Sequence, residues 1–154
     1  QKYLGIAALK TGMMEKGISH LNKALAINPE DPEIYLYRAK YFSSMQKMET
    51  AEEQYKLALK IDDQNSSVLL ETAKFMWTNG DTTDALDLLN RAVSQDKECW
   101  ECYKYLGILH ASLDNRLEAV QFLEKYLSNI YFKDEKVELL LNSLKKSENL
   151  VPEN

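Results

Sequence analysis

The chain is expected to fold as an all-α array of stacked helix pairs, and three features of its sequence carry that expectation. The first is a period of 34 residues. Ala24, Ala58, Ala92 and Tyr126 stand at equal steps, as do Gly17, Ala51, Ala85 and Ala119, and Leu21, Tyr55, Leu89 and Leu123. The second is a dipeptide column near the start of each repeat: Leu4-Gly5, Arg38-Ala39, Thr72-Ala73 and Leu106-Gly107. The third is helical spacing of the apolar residues, in two runs per repeat parted by a short polar stretch. A fixed period of this size marks modules that bury their apolar faces by stacking on one another.

The columns place four repeats at 1–31, 32–65, 66–99 and 100–133. In the first, Gly12 falls in the turn between the paired helices, where a left-handed conformation is often needed, and Pro29 follows the end of the second helix. Asp31, at the end of the first, is placed to cap the opening helix of the second, with Pro32 in its first turn. Ile34, Tyr35, Arg38, Ala39 and Phe42 line that helix, and Ala51, Tyr55, Ala58, Leu59 and Ile61 line its partner. Asn65 takes the capping column ahead of the third repeat, whose turn holds Gly80, and Cys99 takes it ahead of the fourth. Small residues at Gly5, Ala39, Ala73 and Gly107, and at Gly17, Ala51, Ala85 and Ala119, let paired helices cross closely, and a larger side chain there would wedge them apart. After Lys133 the period stops, and 134–149 reads as one amphipathic capping helix with Val137, Leu140, Leu141 and Leu144 on one face. Residues 150–154 are expected to fray.

Composition narrows the function. The 154 residues carry 19 Lys and Arg against 24 Asp and Glu, for a net charge of −5. A chain of this sign without a dense basic cluster is unsuited to displacing counterions from nucleic acid, so no nucleic-acid partner is expected. No apolar run approaches the roughly 18 residues of a membrane span. The 2 cysteines lie three residues apart, so no disulfide framework is expected to support the fold, and a reducing, cytoplasmic setting is the default reading. The chain opens on Gln1-Lys2-Tyr3 without an initiator Met or a signal-peptide pattern, and its first repeat lacks the opening residues. The expectation is a piece of a longer protein.

The columns resemble the tetratricopeptide repeat, a helix–turn–helix unit of about 34 residues. The resemblance rests on Leu4-Gly5, Ala8, Gly12, Ala24 and Pro29 in repeat one and on Tyr103, Leu106-Gly107, Ala119 and Leu123 in repeat four. Departures are Arg38-Ala39 for the usual Leu-Gly pair, Asp63 and Lys97 for the terminal proline, and Tyr126 for the second small residue. The resemblance implies a right-handed superhelical α-solenoid whose first helices line a concave groove that binds a partner's peptide or helix. The groove positions it implies are Lys2 and Ile6; Leu36, Tyr37 and Lys40; Leu70, Glu71, Lys74 and Trp77; and Lys104, Tyr105 and Ile108. An aromatic floor with ammonium groups suits a protein or peptide partner with apolar anchors and one or two carboxylates. Lys40, Lys74 and Lys104 would give that groove local positive charge, and Trp77, which is bulky and outside the core columns, is its sharpest candidate. Chaperone-associated members hold two carboxylates with Lys, Asn, Asn, Lys and Arg. Here Lys2 matches the first of these, but the rest fall on Ile6, Tyr37, Ser67 and Glu71, so no such clamp is expected.

The rival chemistry lies in Cys99-Trp100-Glu101-Cys102. A thiol at a helix N-terminus gains acidity, and the motif resembles the redox site of thioredoxin-like oxidoreductases, but that site follows a strand. Structural zinc needs four ligands. Beyond the weak candidates Cys99 and Cys102 only His20 and His110 are available, and His110 shares the core column of Ala8, Phe42 and Met76. Two thiols at a repeat junction, inert or reversibly oxidised, are the favoured reading. No phosphate loop, Ser-His-Asp set or HExxH motif occurs, so no catalytic residue, metal or cofactor is assigned. The expected function is a scaffold or adaptor that is not an enzyme. An alternative is self-association through the array's exposed ends, around Tyr3, Ala7 and Leu9, and a remote one is a CxxC redox or zinc module.

Overall fold

The computed structural model describes residues 1–146, and every regular element among them is a helix. Four pairs follow one another: α1 (Lys2–Lys10) and α2 (Met14–Ile27), α3 (Pro32–Ser44) and α4 (Met48–Ile61), α5 (Ser66–Thr78) and α6 (Thr82–Gln95), α7 (Trp100–Ser112) and α8 (Arg116–Leu127). A last helix, α9 (Glu135–Lys146), covers most of the stretch read as a cap; residues 147–149 and the tail 150–154 lie outside the described residues. The chain divides within α5 into two compact halves, Gln1–Thr72 and Ala73–Asn154.

The turns inside the four pairs share one geometry. Gly12, Gln46, Gly80 and Asp114 take φ of 81°, 60°, 95° and 58°. The next N–H then reaches back five residues: Met13 to the Ala8 carbonyl at 2.8 Å, and Lys47 to Phe42, Asp81 to Met76 and Asn115 to His110 at 2.9 Å. This closure satisfies carbonyls that the helix end leaves open. The sequence flags only the two glycines. Gln46 and Asp114 occupy the same column and accept a left-handed backbone that costs a residue with a Cβ roughly 1–2 kcal/mol.

In the N-terminal half, α1 packs on α2, α2 on α3, and α3 on α4. The small columns do what their size requires: a Cβ on Gly5 would lie 2.8 Å from Leu21 Cδ2 and 3.0 Å from the Gly17 carbonyl oxygen. Leu21, Ile34, Ala39, Ala51 and Ala58 form the buried layer. Asp31 caps α3 by accepting from the Glu33 N–H at 3.1 Å, and Asn65 caps α5 by accepting from Ser67 and Val68 at 3.1 and 3.2 Å. Arg38, in the place of the usual leucine, donates to Gln54 Oε1 at 2.9 Å and also to Asn22 Oδ1, so it ties α3 to α4 and α2. Burial lowers the pKa of its guanidinium.

In the C-terminal half, α6 packs on α7, α7 on α8 and α8 on α9. Ala85, Ala92, Leu106, Ala119 and Leu123 are buried, and a Cβ on Gly107 would lie 2.5 Å from Leu123 Cδ2. Tyr126, where the other repeats have Ala, joins Tyr103, Leu123, Val137 and Leu141 in a core that α9 completes, with Leu140 and Leu144 packed at its margin. Its hydroxyl donates to Asp134 Oδ2 at 3.0 Å, while Asp134 Oδ1 accepts from the Val137 N–H at 3.3 Å and caps α9. Cys99 does stand at the start of α7, but its side chain makes no capping hydrogen bond. It is instead joined in a disulfide to the fully buried Cys102, their Cα atoms 5.3 Å apart. The helix start expected to be held by a thiol cap is held covalently.

Candidate partner-binding site

The lysines nominated for the groove obey a common rule. In the N-terminal half, Lys2 Nζ lies 2.8 Å from both the Asp31 and the Glu33 carboxylates, and Lys40 Nζ lies 2.9 Å from Glu71. In the C-terminal half, Lys74 lies 3.4 Å from Glu101 and Lys104 2.6 Å from Asp134. Each ammonium group thus reaches a carboxylate at the start of, or on, a helix further along the chain. Hydrogen bonds to Asp31 and then Glu33 raise the Lys2 pKa. The Lys104 hydrogen bond is the main reason the Asp134 carboxyl lies below its usual range. Burial opposes the charge on Lys104, but its bond to Asp134 and the neighbouring Tyr126 leave its pKa raised. The expected local positive charge at Lys40, Lys74 and Lys104 is therefore corrected: it is neutralised in place by Glu71, Glu101 and Asp134.

What the pairs leave presented is aromatic. Tyr37 is half-buried, with Lys40 Nζ 5.3 Å and Lys10 Nζ 5.9 Å from its ring centre. In the other half Trp77 meets Tyr105 edge to face at 6.3 Å, and Lys74 Nζ stands 5.0 Å from the Tyr105 ring. Ile6, Leu36 and Leu70, at 7%, 5% and 6% exposure, lie in the core, Ile6 in a cluster against which Tyr37 packs. Ile108 packs against the Tyr103–Tyr126 core.

Two clefts flank Tyr37 and Lys40. A polar one of about 440 Å³ is lined by Asp31, Glu33, Tyr37, Lys40, Ser67 and Glu71 among others. An apolar one of about 180 Å³ lies among Leu9, Lys10, Met14, Tyr37, Lys40 and Tyr41. Of the second set, Lys10, Met14 and Tyr41 escape the column argument. The available signal is helical spacing, since Tyr41 and Lys10 each lie one turn beyond a nominated position, Tyr37 and Ile6.

Cys99 and Cys102 hold one another, and no group of three or more His, Cys, Asp or Glu among the described residues is placed to share a metal ion. His110 packs its ring against Phe122 at 5.4 Å, and His20 Nδ1 lies 2.7 Å from Gln1 Oε1. No helix among the described residues is long and apolar enough to cross a membrane.

The sequence matches profiles of the tetratricopeptide repeat at residues 4–31, 32–65 and 76–130. It is 28% identical over 127 residues to the type IV pilus assembly protein PilF of Pseudomonas aeruginosa, a match that takes in 80% of this chain but spans only 50% of that protein. The solved structure of P. aeruginosa PilF superposes with a TM-score of 0.87 at 26% identity, over 96% of this chain and 67% of that one. MamA superposes at 0.76 with 18% identity, over 96% of this chain and 85% of that one. YrrB, described as a TPR protein with an unusual peptide-binding site, superposes at 0.74 with 20% identity, over 84% and 66%. These last two likenesses bear on the fold alone. The period, the helix pairs and the profile matches agree on an all-α, TPR-like solenoid, and the chain belongs to the tetratricopeptide repeat family.

Proposed function

We propose that the chain is an adaptor, without catalysis of its own, that binds an extended or helical segment of a partner protein through the aromatic faces its halves present. Protein–protein interaction is the general business of the family. The observation that carries the finer reading is the pinning of half-buried rings by lysines that are themselves held by carboxylates: Tyr37 with Lys40 and Glu71, and Tyr105 with Lys74 and Glu101. Rings fixed in advance lose little freedom on binding, which is the main saving a rigid scaffold offers a ligand. Because the ammonium groups are already engaged, apolar anchors contribute more here than acidic ones. Likeness to a pilus assembly protein supports a role in ordering subunits of a larger assembly.

The cytoplasmic setting drawn from the cysteine count competes with an oxidising one, which the Cys99–Cys102 disulfide favours. Acid-quenched maleimide labelling of the protein from its source cell separates the two: an oxidising setting leaves both thiols blocked until reduction.

Affinity capture from the source lysate tests the adaptor reading, with wild type set beside a Trp77→Ala/Tyr105→Ala variant of unchanged helicity. Loss of a few specific proteins is the expected result; identical captures overturn it. A second reading, self-association, is favoured by Tyr3 and Leu4, which are 75% and 57% exposed on α1. Sedimentation over a wide concentration range would then show oligomers that Tyr3→Ser/Leu4→Ser abolishes, and a monomer throughout would rule it out.

A further inference from the structure

The apolar cleft of the N-terminal half has a feature that the adaptor reading does not use. Its lining joins the end of α1, through Leu9, to the start of α2, through Met14, and to Tyr37 and Tyr41 on α3. At about 180 Å³ it has room for a single large side chain. Tyr41 is held by an edge contact with Phe42 at 5.2 Å, so that wall is preset.

Two ammonium groups line this apolar space, and they differ. Lys40 is already 2.9 Å from the Glu71 carboxylate. Lys10 is exposed, rests near the Tyr37 ring at 5.9 Å, and makes no ion pair among the described residues. Lys2, Lys40, Lys74 and Lys104 each have a carboxylate within 3.4 Å or less. An apolar side chain seated beside Lys10 would strip water from its charge, and a carboxylate brought in with that side chain would offset the loss.

We propose that this cleft receives an apolar side chain of a partner segment whose adjoining residue is Asp or Glu. The side chain sits among Leu9, Met14, Tyr37 and Tyr41, and the carboxylate pairs with Lys10. Only one acid is called for, because Lys40 is occupied by Glu71. The inference rests on the adaptor reading and specifies the partner's chemistry at one site of it.

The test is a titration of the full chain, carrying ¹⁵N and ¹³C-methyl methionine labels, followed by NMR. The probes are capped peptides Gly-Ser-Leu-Glu-Ser-Gly, Gly-Ser-Leu-Gln-Ser-Gly and Gly-Ser-Ser-Glu-Ser-Gly at millimolar concentration. The Leu-Glu peptide should shift the Met14 methyl and the Lys10 and Tyr41 amides. The Leu-Gln peptide should bind the same site about fivefold more weakly, the scale of a partly exposed ion pair. The Ser-Glu peptide should leave the Met14 methyl in place. Lys10→Met should erase the Leu-Glu advantage while leaving Leu-Gln binding unchanged, and Met14→Ala should weaken both. Equal binding of the Leu-Glu and Leu-Gln peptides, shifts confined to Trp77 and Tyr105, or no shift of the Met14 methyl with any peptide would each overturn the proposal. A capture that is lost with Trp77→Ala/Tyr105→Ala, beside peptides blind to Lys10, leaves the adaptor reading standing and removes only this site. Captures unchanged both by Trp77→Ala/Tyr105→Ala and by Lys10→Met/Met14→Ala remove the adaptor reading, and this proposal with it, whatever the peptides do.

Discussion

The two halves use the same repeat and finish it in opposite ways. Ala51 in the N-terminal half and Ala119 in the C-terminal half are fully buried in one column, so close helix crossing is common to both. Where the last helix pair of the N-terminal half has Ala58, the last pair of the C-terminal half has Tyr126. Beside Tyr37 the first leaves two open clefts. The second brings the rings of Trp100, Phe122 and Tyr103 within 6.2 Å of one another along the chain Trp100–Tyr103–Phe122 and covers its core with α9. Constant small residues set the spacing of the helices. The variable columns decide whether the space beside them becomes core, as around Tyr126, or cleft, as beside Tyr37.

The sharpest way to break this contrast is to give the C-terminal half the small residue of the other. Tyr126→Ala should cost about 3–5 kcal/mol, the usual loss for deleting a buried aromatic ring. It also removes a hydrogen bond to Asp134, so amide exchange in α9 should accelerate more than in α1 to α4. Urea unfolding with exchange mass spectrometry reads both, and a loss below about 1 kcal/mol would mean that the cap does not depend on this ring. The same anchor has a pH signature. The Asp134 carboxyl is held below its ordinary value, first by the Lys104 hydrogen bond. A depressed carboxyl contributes its full stabilisation above the unfolded-state pKa, about 3.9 for Asp, and loses it as pH falls through the lower folded value. Protection of α9 should therefore decline below about pH 4 in wild type. Asp134→Asn should start from lower protection and lose that part of the pH dependence.

How much of this was open to a reading of the chain follows from what repeats and what does not. The period placed the helix pairs, the crossing residues and the Asp31 and Asn65 caps, because those roles recur and leave columns. Tyr126 stood out as a departure, but its use did not, since its partner Asp134 belongs to a helix outside the period. Nor did the columns show that Lys40 and Lys104 would be neutralised. Those pairs join residues 31 and 30 positions apart, off the repeat step, through side chains of different lengths. The cleft beside Tyr37 was missed for a related reason: Lys10, Met14 and Tyr41 come from three helices and share no column.

A second comparison lies at the helix starts. Asp31 holds α3 by one hydrogen bond, whereas Cys99 holds α7 through a bond to Cys102. Closing so short a loop limits the chain-entropy gain to about 2 kcal/mol. Reduction should lower stability by about that much in the C-terminal half, seen as faster exchange at the start of α7, with α3 unmoved. Cys99→Asp/Cys102→Ala under reducing conditions should recover about 1 kcal/mol by restoring the hydrogen-bonded cap. Equal stability of oxidised and reduced protein would show that Cys102 burial alone fixes the helix.

The smallest expected effect distinguishes turns of one column. Gly12 and Gln46 adopt nearly the same left-handed backbone, at φ of 81° and 60°, and no atom lies within 4 Å of where a Cβ on Gly12 would point. Space is therefore not what selects glycine, and only backbone strain separates the two residues. Gln46→Gly relieves that strain but enlarges the freedom of the unfolded chain, so its net gain should stay under about 1 kcal/mol. Gly12→Gln takes on the strain while restricting the unfolded chain, and should lose a similar amount. Asp114→Gly should gain less than Gln46→Gly, because Asp tolerates the left-handed region better than Gln does. Thermal unfolding of the three variants resolves the order. If Gly12→Gln were neutral, the Schellman hydrogen bonds would be holding the turn whichever residue occupied it, and the glycines in this column would be a matter of history rather than of energy.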